Sequence, residues 1–202
     1  MRLASVAFVV AACGQSDPPK PVVPPAQPAL DPIACPGGAI KQRPWRQRRS
    51  EDGAFVSTEG REEWCERSDG KRDGAWRITY MNGKLAASGA YQNDARTGLF
   101  SMWYGDADRP WKAEEETWVA GVRQGSWRSF RPDNGKPWAA SSFKDGKLDG
   151  DWIEYGEDGK PHVVGTFVAG EPQGSFTRTL PDGTTHAFAP NKADYDPKPI
   201  GE

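Results

Sequence analysis

The chain has few histidines and cysteines, two residue types from which metal centres and active sites are commonly built. Its 202 residues include only two histidines, His162 and His186, and three cysteines. Neither histidine has a metal-ligand spacing or a candidate nucleophile beside it, so we expect both at the surface. The stretch DGKLDG from Asp145 lacks the spacing and the Ser or Thr of a phosphate-binding loop. We therefore predict that the protein is not an enzyme and uses no cofactor, metal or small-molecule substrate.

Apolar residues are also scarce, and the positive and negative charges nearly balance. Apolar residues make up 36% of the chain, which is little for a compact two-layer domain. The formal net charge of −2 does not favour a nucleic-acid partner. In contrast, the chain has 23 glycines and nine tryptophans. So many tryptophans are not expected in a disordered protein. This composition indicates a fold held together by aromatic side chains and glycine-defined turns.

Apolar runs are short, and the one at the N-terminus is typical of a signal peptide. Ten apolar or small residues run from Leu3 to Ala12, too few to span a bilayer. The sequence VAAC ending at Cys13 resembles the lipobox of bacterial lipoproteins. The resemblance implies that residues 1–12 are removed and that Cys13 carries lipid, an anchor that gains about 0.8 kcal/mol per buried CH₂. The alternative is an ordinary secretory signal in which the cysteine occurs by chance.

A lipid anchor would place the protein in the bacterial cell envelope. Gly14 follows the proposed anchor, and the absence of Asp at this position favours the outer over the inner membrane. Residues 14–34 contain seven prolines, a density that favours extended polyproline II structure and blocks helix and sheet formation. We therefore assign residues 13–34 to the lipidated cysteine and a proline-rich tether. An ordinary flexible linker would serve the same purpose.

Cys35 and Cys65 are the two cysteines that remain. In an oxidising compartment, two cysteines at the start of a domain favour a disulfide over two free thiols. Closing a loop of about thirty residues would stabilise the fold by roughly 3 kcal/mol in the chain-entropy treatment.

An aromatic and glycine motif repeats along the second half of the chain. A first aromatic residue is followed seven positions later by glycine and two positions after that by a second aromatic residue. The three positions are occupied by Tyr91, Trp118, Phe143 and Phe167, by Gly98, Gly125, Gly150 and Gly174, and by Phe100, Trp127, Trp152 and Phe176. A looser copy includes Gly74 and Trp76. The first aromatic residues recur at intervals of 27, 25 and 24 positions, which is typical of a repeat architecture.

Each repeat reads as a β-hairpin. Asn-Gly or Asp-Gly pairs at Gly83, Gly135, Gly159 and Gly183 are typical hairpin turns. Between turns the side chains alternate with a period of two, which indicates strands with two distinct faces. Successive hairpins would then pair into an antiparallel meander.

These motifs resemble MORN repeats, in particular the bacterial MORN-variant type, over residues 60–188. The resemblance implies an all-β fold, an elongated single-layer antiparallel meander of stacked β-hairpins. Ten strands at about 4.8 Å spacing would make a ribbon of roughly 45 to 50 Å. We assign residues 35–59 to a lead-in and expect residues 189–202 to be a disordered tail.

The repeated residues have a structural role in this interpretation. A single sheet has no second layer, so aromatic rings from neighbouring strands must cover one another. The glycine two residues before each aromatic residue would either let the backbone turn sharply or let a ring lie across it. The many acidic residues are expected in turns or at outward strand positions.

A basic patch precedes the repeats. It contains Lys41, Arg43, Trp45, Arg46, Arg48 and Arg49. This patch could contact anionic lipid headgroups, lipopolysaccharide or an acidic protein. The plainer interpretation is an exposed segment that leads into the repeats.

Without catalytic chemistry, the tether and the repeats predict a membrane-anchored module that binds or scaffolds a protein partner or an envelope component. The resemblance to MORN-variant proteins also allows an antitoxin or immunity protein that neutralises an exported toxin. A further alternative is glycan or lipid binding through the aromatic-rich face.

Overall fold

The computed structural model describes residues 30–51, 54–104, 110–195 and 197–200, with the backbone alone for residues 46–51 and 54–58. The predicted signal peptide, Cys13 and most of the tether lie outside the described residues. Cys35 and Cys65 form the predicted disulfide, with their Cα atoms 5.3 Å apart. This disulfide fastens the segment before the first strand to the second strand.

The fold is a single open antiparallel sheet of fourteen strands in meander order. The strands are β1 (Ala39–Glu51), β2 (Ala54–Glu66), β3 (Arg72–Tyr80), β4 (Leu85–Gln92), β5 (Ala95–Trp103), β6 (Lys112–Val119), β7 (Val122–Phe130), β8 (Pro137–Lys144), β9 (Lys147–Leu148), β10 (Gly150–Tyr155), β11 (Pro161–Val168), β12 (Glu171–Pro172), β13 (Phe176–Thr179) and β14 (Thr185–Phe188). The short strands β9 and β12 pair only with β8 and β11. The predicted all-β, single-sheet meander is confirmed.

A tight two-residue turn recurs at the same place in each copy of the motif. The pairs Asn93-Asp94, Ala120-Gly121, Asp145-Gly146 and Ala169-Gly170 all have positive φ at both positions. A two-residue hairpin loop of type I′ requires this conformation, whose twist matches that of the flanking strands. The sequence therefore places these turns at the seams between the predicted hairpins.

The repeat glycines meet a backbone requirement, and at Gly150 a side chain would also meet Ser142. Gly150 has φ of 122°, and Gly74, Gly98, Gly125 and Gly174 are also positive. A side chain would be strained in this region, so the backbone role of these glycines is confirmed. Rings lie across two other glycines: a Cβ on Gly89 would overlap Phe100, and a Cβ on Gly165 would overlap Phe176.

One face of the sheet, which we call the aromatic face, carries the core in two clusters. The first contains Trp76, Ile78, Phe100 and Trp118, and the second contains Trp127, Phe143, Trp152, Phe167 and Phe176. The rings contact one another edge-on or stacked, as between Trp127 and Trp152 at 5.3 Å. The sheet has no second layer to pack against. Its aromatic side chains therefore form the core by packing against one another.

The sheet extends beyond the predicted repeats at its N-terminal end. Residues 35–59 were expected to be a lead-in, but β1 and β2 pair continuously from Ala39 opposite Glu66 to Glu51 opposite Ala54. Strand β2 then pairs with β3. The alternating side chains of this hairpin are mostly charged or polar, so the aromatic and glycine spacing that marks the later repeats is missing.

The prediction of a disordered tail is wrong. Residues Lys192–Tyr195 form a 3₁₀ helix, and Tyr195 and Ile200 are 8% and 2% exposed. Tyr195 packs in the second aromatic cluster and Ile200 in the first. The tail is ordered because these two side chains cover apolar surface that a single sheet would otherwise expose.

Candidate functional site

The face opposite the aromatic face, which we call the outer face, has a continuous row of paired residues. Each residue stands opposite the next across neighbouring strands, so all side chains of the row share one face. The row consists of Glu63, Arg77, Ser88, Ser101, Glu115, Arg128, Ala140, Ile153, Val164, Thr177 and Ala187. Most of these side chains are small, hydroxylic or β-branched. The outer face is therefore mixed in polarity.

Several aliphatic side chains on the outer face are open to solvent. Leu99, Val119, Val164 and Val168 are between 42% and 55% exposed. Val119 stands opposite Val122, which is also exposed. Contiguous exposed apolar side chains rimmed by polar ones are typical of surfaces that contact other proteins, and Val119 and Val122 form such a contiguous pair.

The segment around Asp31, which precedes the first strand, reaches one end of the outer face. Arg77 donates to Oε2 of Glu63 and to the carbonyl oxygen of Asp31, each over 2.6 Å. The segment that leads from the tether therefore reaches the sheet on the outer face, near β2 and β3.

The structure places part of the predicted basic patch beside two carboxylates, of which Glu62 is buried and Glu66 is partly exposed. Arg43 Nε donates to Glu62 Oε2 over 2.5 Å, and Lys41 Nζ lies 3.6 Å from Glu66 Oε1. Trp45 meets the ring of Tyr80 edge-on at 6.2 Å. These contacts favour the plainer interpretation for Lys41 and Arg43, because both cations already have acidic partners.

An open groove of about 640 Å³ lies beside this part of β1. Its lining includes Arg43, Trp45, Arg61 and Tyr80. For Arg46, Arg48 and Arg49 the structure describes only the backbone in β1. The groove could hold a small group with both apolar and anionic parts.

Two glutamates are buried in the aromatic face, although acidic residues were expected to point outward. Glu62 is 3% exposed and accepts a hydrogen bond of 2.8 Å from Trp76 Nε1. Arg72 lies 3.2 Å from the same carboxylate. Glu116 is fully buried, and its carboxylate lies 4.0 Å from Arg96. The period of two could have located Glu116, since it stands two residues before the buried Trp118.

The ordered tail crosses the aromatic face, and we call residues 191–195 and 197–200 the strap. The ring of Tyr195 lies 5.0 Å from that of Trp152 and 5.3 Å from that of Phe176. Arg123 donates to the carbonyl of Pro197 over 2.7 Å. The amide of Ile200 donates to Oε1 of Glu116 over 2.9 Å. The strap therefore joins both aromatic clusters.

Tyr195, in the strap, has a raised pKa. Burial is the main cause that raises the pKa of Tyr195 above its ordinary value, and the charges of Glu154 and Asp194 raise it further.

The described residues do not bring metal-ligating side chains together. Within these ranges no group of three His, Cys, Asp or Glu side chains could hold a metal ion. His162 lies on β11 and His186 on β14, and His186 is exposed. The aromatic repeat residues named from the sequence lie on the aromatic face, and the repeat glycines are the positive-φ positions beside them.

These features define an all-β, single-sheet repeat protein with two buried aromatic clusters on one face and exposed aliphatic side chains on the other. No family model, curated protein or solved structure matches the chain. Among the residues that the structure describes, no helix combines the length and apolar character needed to cross a membrane. The resemblances to MORN-variant repeats and to the lipobox stay predictions.

Proposed function

We propose that the protein is a lipid-anchored binding or scaffolding module of the bacterial cell envelope, with the outer membrane favoured over the inner. In this proposal Cys13 carries the lipid and the proline-rich tether holds the sheet away from the membrane. The partner is a protein with a mixed apolar and polar surface. The module binds without catalysis.

The continuous outer face is the observation that supports this function best. Leu99 on β5, Val119 on β6, and Val164 and Val168 on β11 are all exposed there. In contrast, the strap and neighbouring rings cover the core residues of the aromatic face, as at Trp118 with 7% exposure. This difference in exposure favours a protein bound at the outer face over a glycan stacked on the aromatic face, because stacking needs exposed rings.

Site-specific photo-crosslinking in the native envelope tests the partner. A photoreactive residue at Leu99 or Val164 should give the same specific adduct, because both side chains lie on the outer face. The matched control is Lys160, an exposed position in the turn between β10 and β11. The same adduct at Lys160, or no adduct at Leu99 and Val164, would contradict the proposal. A toxin in the adduct would support the immunity alternative.

Membrane fractionation tests the anchor separately. The Cys13→Ala variant should move from the membrane fraction to the soluble periplasmic fraction, since it cannot accept lipid. A variant that stays with the membrane would contradict lipidation at Cys13 and would leave the crosslinking result unaffected.

A further inference from the structure

A groove of about 620 Å³ lies at one edge of the sheet, beside the turns that follow β7, β10 and β13. Arg131 begins the first of these turns, Glu157 lies in the second and Pro181 in the third. Strands β8 and β11 contribute Trp138 and His162 to the lining. A groove of this volume is large enough for a small molecule.

The groove lies where the repeats change at one position. Tyr80, Tyr104, Arg131 and Gly156 occupy the same place in successive copies, six residues after the repeat glycine. The two tyrosine hydroxyls donate to a carbonyl oxygen of the following copy over 3.0 and 2.8 Å, and Arg131 does the same over 2.5 Å. Gly156 has no side chain with which to continue this series. Both Arg131 and Gly156 line the groove, which therefore opens where the row of long side chains ends.

Trp138 gives this groove an exposed aromatic ring. All nine tryptophans lie in the described part of the chain; eight are buried or partly buried, whereas Trp138 is 53% exposed. Within the described residues the ring of Trp138 contacts no other ring, and its indole N–H has no acceptor. The indole is therefore available to stack on a ligand and to donate a hydrogen bond to it.

The polar groups of the groove are nearly balanced in charge. Its charged lining residues are Arg131, Lys160, Glu154, Glu157 and Asp158. Among the described residues, no side chain or backbone group pairs with the side chains of Glu157, His162 and Thr179, which also line the groove. Together these groups offer hydrogen-bond donors and acceptors without a strong net field. They suit a neutral ligand with many hydroxyl groups better than an ion.

A sugar meets both requirements. A glucose-type pyranose ring has hydroxyl groups around its rim and C–H groups on its faces, so one face can stack on an indole while the rim reaches polar side chains. A proline-rich peptide would instead need several exposed rings side by side, and the groove has one exposed tryptophan. We propose that this groove binds a glucose-type unit of an oligosaccharide, stacked on Trp138. The site is separate from the proposed protein partner and does not depend on the anchor.

Calorimetric titration of the full chain tests the site. The probes are cellotetraose and chitotetraose, which carry a hydroxyl and an acetamido group, respectively, on the same type of β-1,4-linked ring. At least one of them should bind saturably, and Trp138→Ala should weaken that binding at least about tenfold because the stacking is lost. Trp138→Tyr should bind more tightly than Trp138→Ala, since tyrosine restores part of the ring. Sorbitol, which has hydroxyl groups but no ring, should not bind.

Two results of the titration would overturn the proposal. The first is that neither tetrasaccharide binds, and the second is that the wild-type and Trp138→Ala chains bind equally well. Trp138 is exposed, so its replacement should leave the fold intact and the comparison valid. Binding of a decaproline peptide through Trp138, without binding of either sugar, would assign the groove to a proline-rich partner instead.

NMR of the wild-type chain locates the bound sugar. The indole N–H signal of Trp138, identified by its loss in Trp138→Ala, should shift on titration, while that of the buried Trp76 should not. A shift confined to other tryptophans would contradict the site.

The crosslinking experiment has an independent outcome. A sugar beside Lys160 gives no protein adduct at that position, so the control there is unaffected. Conversely, the absence of an adduct at Leu99 and Val164 would leave sugar binding unchanged.

Discussion

The amide of Ile200 donates a hydrogen bond of 2.9 Å to Glu116, a residue 84 positions earlier in the chain. Ile200 is 2% exposed and Glu116 is fully buried. The bond gives the buried carboxylate a donor that the sheet itself does not supply. The strap is consequently part of the folded core, and its anchors at Tyr195 and Ile200 should affect stability as core residues do.

Alkaline pH should loosen the strap. The pKa of Tyr195 is raised in the folded protein, so the folded state holds this proton more tightly than the unfolded state. Its contribution to stability is complete below the unfolded pKa of about 10 and is lost as the pH rises through the folded pKa. We expect the urea midpoint of the wild-type chain to fall more steeply above about pH 10 than that of Tyr195→Phe. Parallel pH profiles for the two chains would show that Tyr195 titrates normally.

The aromatic core should depend strongly on Trp152. This residue is 5% exposed, stacks on Trp127 at 5.3 Å and contacts the ring of Tyr195. Trp152→Ala should lower the free energy of unfolding by about 3 to 4 kcal/mol, because it leaves a cavity between rings. Urea denaturation measures the loss. The matched control is Trp138→Ala, since Trp138 is 53% exposed, and its effect should stay within about 0.5 kcal/mol. Similar losses for both variants would refute the packing role.

Gly165 should resist any side chain. A Cβ at this position would overlap the ring of Phe176, so Gly165→Ala should cost about 1 to 3 kcal/mol through overpacking. The same substitution should cost less in a Phe176→Leu background, where the ring is absent. A double-mutant cycle of unfolding free energies measures this coupling. Additive effects would mean that backbone conformation, and not the ring, requires glycine here.

Removing the disulfide should destabilise the sheet near β2. Cys35 and Cys65 close a loop with a sequence separation of 30 residues. In the chain-entropy treatment, Cys35→Ser/Cys65→Ser should lower the unfolding free energy by about 3 to 4 kcal/mol. Alkylation of the denatured wild-type chain should label both residues only after reduction. Labelling before reduction would show that the bond does not form in the protein.

The fold could be predicted where the signals are local. Turn pairs such as Asp145-Gly146 specify a hairpin by their backbone preference, and alternation assigns Trp76 and Ile78 to one buried face. The β1–β2 hairpin was missed because its strands lack the repeated aromatic and glycine spacing. The period of two places Glu116 on the buried face, but its hydrogen bond to Ile200 and the ordering of the strap depend on contacts between residues distant in sequence. Composition and spacing do not report such contacts.

The strap also affects how the sheet can come apart. In a meander each strand pairs only with its neighbours, so a repeat array can fray one strand at a time from its end. Here Tyr195 packs in the second aromatic cluster, beside the last strands. The amide of Ile200 is hydrogen-bonded to Glu116 on β6, in the middle of the array. We therefore expect the strap to hold β13 and β14 against the sheet while Ile200 stays bound to Glu116. The unfolding of the C-terminal half should then be more cooperative than the pairing of neighbouring strands alone would allow.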